Sequence, residues 1–96
     1  MSLFVVQHQH PAEGCPAGHP QMAPMLLQHL SEENAGQFGI SIHGQAVIDG
    51  AHTFVMILDG PDQPTVENYM APFGMVGSVE VKPANKCEAV VARAHC

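Results

Sequence analysis

The segment Thr53-Phe54-Val55-Met56-Ile57-Leu58 is apolar at every position after the first. Read with the two-residue period of a strand, it puts Phe54, Met56 and Leu58 on one side and Val55 and Ile57 on the other. A strand of that kind belongs in the middle of a sheet with both faces covered. The fold must therefore supply two layers of cover to one sheet. That is a demanding requirement for 96 residues, which make one domain, 1–96. A chain of this length buries roughly 60–65% of its extended surface on folding.

The rest of the chain reads as short elements around that strand. Leu3 to Gln7 is a strand, and its period continues through Gln7-His8-Gln9-His10, so His8 and His10 share the face of Phe4 and Val6. Residues 10–20 form a constrained loop, because Pro11 to Pro20 contains three prolines and two glycines and can be neither helix nor interior strand. A helix is predicted from about Gln21 to Asn34, with Met22, Met25, Leu26 and Leu30 in one stripe, His29 inside that stripe and Leu27 outside it. Gly36 and Gly39 bracket its exit. Phe38, Ile40 and Ile42 alternate as a strand, Gly44 suggests a bulge, and Asp49-Gly50 marks a hairpin turn leading into the Thr53 strand.

Asp59 to Asp62 is a turn with Asp62 as N-cap, and the following helix carries Val66, Tyr69, Met70 and Phe73 on one face. The spacing of Met22, Met25 and Met70 marks them as core. Val79 and Val81 alternate in a fourth strand stopped by Pro83. Glu88 to Ala92 is predicted as a last short strand, followed by the tail 93–96. The order β-α-β-β-α-β with an extra C-terminal strand is the α+β, ferredoxin-like arrangement. Two helices cover one sheet face. A second copy of the chain is the simplest cover for the other, so a homodimer is expected.

With its second helix ending in Tyr69-Met70-Ala71-Pro72-Phe73-Gly74 just before Val79-Glu80-Val81, the chain resembles the dimeric α/β-barrel superfamily of small bacterial proteins. That resemblance implies two ferredoxin-like sheets packed face to face. Haem-degrading monooxygenases, isomerases, stress-response proteins and a nickel-binding protein share that architecture, so it implies no single chemistry.

Charge narrows the functions. Three lysines and arginines against nine acidic residues leave a formal charge of −6, with 12% of residues charged. That composition argues against nucleic-acid binding and against an anionic membrane surface. No run approaches the roughly 18 apolar residues of a membrane span. Met1 to Val6 is too short for a signal-peptide core, so a cytoplasmic setting is expected. Three cysteines are an odd number, which suits ligands, redox groups or bystanders better than a disulfide framework.

Histidine is the anomaly, with seven in the chain beside six methionines. The pattern His8-x-His10-x4-Cys15-x3-His19 places two imidazoles on one side of a strand end and returns a thiol and a third imidazole in a stiff loop. Such donors suit zinc, nickel or copper rather than the oxygen-seeking magnesium or calcium. A last strand lying antiparallel on the fourth would bring His95 and Cys96 back to the same end, from the same chain or its partner. Cys87 and His52 are expected at the far end, and the place of His43 depends on register.

A small metal-binding protein for sequestration, delivery or sensing is the leading reading. Haem binding is the alternative suggested by Cys15-Pro16. A cofactor-independent monooxygenase or isomerase would use His29 or His43 as general base. A purely structural dimer is the fourth possibility.

Overall fold

Alternating burial along β1, Ser2–Gln9, organises the molecule: Phe4, Val6 and His8 are buried while Gln7 and Gln9 face outward. The computed structural model describes residues 1–96. After β1 come a single 3-10 turn at Ala12–Gly14, then α1 (Met22–His29), α2 (Glu32–Gln37), β2 (Ser41–Ile48), β3 (Thr53–Gly60), α3 (Gln63–Gly74), β4 (Ser78–Ala84) and α4 (Cys87–Arg93). The strands form one antiparallel sheet in the order β2-β3-β1-β4, which is compatible with a ferredoxin-like fold. No helix is long and apolar enough to cross a membrane.

The doubly apolar strand sits centrally, as its sequence demands. β3 pairs with β1 on one side, Val6 opposite Met56, and with β2 on the other, Ile42 opposite Leu58. The ladder skips a residue between Ile42 and Gly44, leaving His43 as the bulge. Asp62 caps α3 by accepting the Thr65 amide at 2.8 Å. That helix buries Val66, Tyr69, Met70 and Phe73 against Phe4, Val6, Phe54, Met56 and Leu58. On the opposite face Leu3, Val5, Val55 and Ile57 form an apolar centre that no helix covers, and Ile57 is 45% exposed.

The expectations for the first helical region are corrected. The helix from Gln21 to Asn34 is two helices, because Ser31 adopts extended backbone (ψ 150) and starts α2 by accepting the Asn34 amide at 3.2 Å. α2 then runs on past Gly36, and Gly39 at φ +71 turns the chain into β2. With the break, α1 keeps Leu26 packed against the core but buries no residue fully, so Met22 and Met25 are exposed and only Met70 of the three methionines is core.

The largest correction is at the C-terminus, where the expected fifth strand is the helix α4. Ala89 and Ala92 favour helix, and Ala94 at φ 65 closes it in the left-handed region. β4 is thereby left as the sheet edge, a place that tolerates Pro83 with no amide hydrogen.

Candidate metal centre

The site forms where β1 runs out, and antiparallel pairing decides who is there. Gln9 lies opposite Thr53, and one step further the His10 amide donates to the His52 carbonyl at 3.1 Å. His52, expected at the far end of the sheet, therefore stands beside His10. The expectation fails because a strand antiparallel to β1 must begin where β1 ends. The signal that could have found it is the hairpin turn at Asp49-Gly50. Gly50 (φ 74) and His52 (φ 49) both take left-handed backbone in this turn. The His10 and His52 rings meet edge to face, with centroids 5.3 Å apart.

Cys15 completes the group. The 3-10 turn Ala12–Gly14 bends the loop back, with the Gly14 amide donating to the Pro11 carbonyl at 2.9 Å and the Cys15 amide to Ala12 at 3.2 Å. One donor atom from each of His10, Cys15 and His52 lies within 4.8 Å of the other two, and all three residues are half-buried. Around a tetrahedral ion, bonds of roughly 2.0–2.3 Å put such ligand atoms roughly 3.3–3.6 Å apart, so a small inward movement closes the site. No hydrogen bond joins the three side chains to one another, and His10 Nε2 is buried without any hydrogen-bond partner.

His8 stands behind this group. Its Nδ1 is 3.0 Å from the Ser78 carbonyl oxygen, and its Nε2 is 3.2 Å from His10 Nδ1. Burial pushes the His8 imidazole below the usual histidine range, against the opposing pull of its bond to Ser78. His10 is lowered too, by burial first and then by the neighbouring His8 and His52. Both shifts favour the neutral ring, the form in which imidazole ligates.

The other candidates lie elsewhere. His19 accepts the Gln21 and Met22 amides on Nδ1, each at 3.1 Å, and so caps the entrance to α1. His95 and Cys96 follow α4, where their carbonyls accept from Arg93 at 2.8 and 3.0 Å. Seven residues advance about 10 Å as helix but about 23 Å as strand, so the tail lacks the reach that a fifth strand would have given it. Cys87 opens α4 and is exposed.

His29 is committed to structure: it donates to the Tyr69 carbonyl at 2.7 Å, stacks on the Tyr69 ring at 4.7 Å and takes Asn34 Nδ2 at 3.4 Å. Tyr69 hydroxyl returns a bond to the His29 carbonyl at 3.0 Å, and burial pushes its pKa up to about 12. His43 pairs with Asp59 at 2.8 Å on the sheet, away from the donor group. Comparison with protein-family models, with curated proteins and with solved structures finds no match to this chain.

Proposed function

We propose that this protein binds a transition-metal ion through His10, Cys15 and His52. The observation that carries this reading is that His10, whose buried Nε2 has no partner of its own, stands in a group with a thiol and a second imidazole. Leaving a buried polar atom unpaired costs about 1–3 kcal/mol, and a cation held by the three side chains removes that cost. Two nitrogens and one sulfur suit zinc, nickel or copper. The three free cysteines fit a reducing compartment such as the cytoplasm.

A carrier or sensor suits the site better than an enzyme. The interior beneath the helices is filled by Val6, Met56, Leu58, Val66, Tyr69 and Met70, all fully buried, and His29 has both ring nitrogens engaged. The dimeric reading is retained as part of the proposal: the apolar centre of the open sheet face suits a second copy of the chain.

Titration of the tag-free chain with Co(II) tests the metal reading. A stoichiometric complex with a thiolate-to-cobalt charge-transfer band, displaced by zinc and absent in Cys15→Ser, is the expected result. A spectrum identical to free aqueous cobalt would end the proposal.

A further inference from the structure

Hydrogen-bond direction at the buried histidine pair is set from one end. The Ser78 carbonyl oxygen can only accept, so the nitrogen 3.0 Å from it, His8 Nδ1, carries the proton. His8 is 5% exposed, and an uncharged imidazole carries one ring proton, so with Nδ1 protonated its other nitrogen, Nε2, holds a lone pair. That lone pair faces His10 Nδ1 at 3.2 Å, which must then be the donor. The remaining nitrogen of His10 is consequently bare, and it is the one that lacks a partner. Three groups in series, Ser78 carbonyl, His8 and His10, therefore determine where the His10 proton sits.

We propose that His8 is a positioning residue for the metal site: it holds His10 in the Nδ1–H tautomer and presents Nε2, already unprotonated, to the cation. The inference rests on the metal reading for its purpose but not for its geometry. Metal-bound imidazoles take their tautomer and orientation from the partner of the distal nitrogen, and loss of that partner typically costs about 10–100-fold in affinity. Here the distal partner is a second histidine, itself anchored to the first residue of β4. A cation on His10 Nε2 would polarise the Nδ1–H bond and strengthen the whole chain of donors.

A close backbone approach supports the arrangement. Gly77, just before the anchoring carbonyl, lies so near β1 that a Cβ there would meet the Gln9 carbonyl oxygen and come within 2.9 Å of His10 Cα. The α3–β4 turn is thus laid directly on the strand end, which is how Ser78 reaches His8.

The test has a readout that needs no metal. Long-range proton–nitrogen NMR of the metal-free full chain near neutral pH should show His10 with a protonated Nδ1 and an unprotonated Nε2. His8→Phe keeps an aromatic ring against Phe73, whose centroid is 5.3 Å from that of His8, and should release His10 to a mixture of tautomers. Zinc affinity should fall about 10–100-fold in His8→Phe, with His8→Gln, which retains an acceptor, in between. A His10 protonated on Nε2 in the wild-type chain overturns the proposal. So does a folded His8→Phe that binds zinc as the wild type does. If the tautomer is as stated but the wild type binds no metal, the metal reading fails and the positioning role with it, while the hydrogen-bond chain stands.

Discussion

The His10 amide donates to the His52 carbonyl at 3.1 Å, carrying the β1–β3 ladder one residue beyond both strands. This backbone bond sets two imidazoles side by side without either occupying a regular strand position. It also means that the distance between two of the three proposed ligands is governed by sheet register rather than by loop flexibility.

Substitutions at the three donors should separate binding from folding. His10→Ala, Cys15→Ser and His52→Asn are each expected to weaken cobalt and zinc binding by more than about 100-fold, beyond the loss typical of an outer-shell change. Asparagine is chosen at position 52 because the backbone there has φ 49, which asparagine tolerates better than alanine. Circular dichroism should be unchanged in all three. Wild-type affinity in any one of them removes that residue from the site.

Much of this arrangement is legible in the chain, and the failures have physical causes. The alternation Phe4, Val6, His8 along β1 is strong because each inward position is tied to the core. The Asp62 cap and the Val66, Tyr69, Met70, Phe73 face of α3 are equally plain. The place of His52 needs two facts together: the Asp49-Gly50 turn puts it at the start of β3, and the antiparallel pairing of β3 with β1 puts that start where β1 ends. Val90 and Val91 favour a strand, but β4 offers only an edge, and neighbouring alanines let the segment close on itself as α4. His8, a ligand candidate on spacing alone, has both nitrogens engaged by groups at Ser78 and His10, and only the tertiary fold brings Ser78 there.

Stability should fall on mild acidification. The His8 pKa is lowered in the folded protein from its ordinary 6.5, chiefly by burial. Between the two values the unfolded chain binds more protons, so stability rises with pH there. His8's contribution is complete above about pH 6.5 and is lost as pH falls through the folded-state pKa. Urea midpoints at pH 7.5, 6.0 and 5.0 should decline in the wild type and decline less in His8→Phe. Parallel declines in the two proteins would assign the effect to other groups.

Gly77→Ala should damage the site end of the molecule. Its Cβ would press on the Gln9 carbonyl oxygen and on His10 Cα, atoms of a paired strand that cannot swing aside. A cost of about 1–3 kcal/mol is expected, as for other overpacked positions, together with weaker zinc binding as Ser78 is displaced from His8. Gly74, the last residue of α3, has open space where a Cβ would stand, with nothing within 4 Å. Gly74→Ala is the control, neutral or stabilising by up to about 1 kcal/mol. Equal thermal melts for the two variants would show that the turn is not held against β1.

The open sheet face makes the last prediction. Val5 stands opposite Ile57 in the central strands, and Val55 lies two residues along β3 on the same face. Charge enters only toward its margins, at Asp59 and at the Lys82–Glu80 pair, 3.1 Å apart on β4. A two-fold partner seated there would bury Ile57 of both copies, since such an interface uses the same patch twice. Ile57→Lys would then force two ammonium groups into one apolar contact, at a desolvation cost. Light scattering should report a two-chain mass for the wild type and a one-chain mass for the variant. Metal binding by the variant should persist, because His10, Cys15 and His52 all come from one chain. A wild type that is already a single chain would leave the Val5, Val55 and Ile57 patch to some other partner.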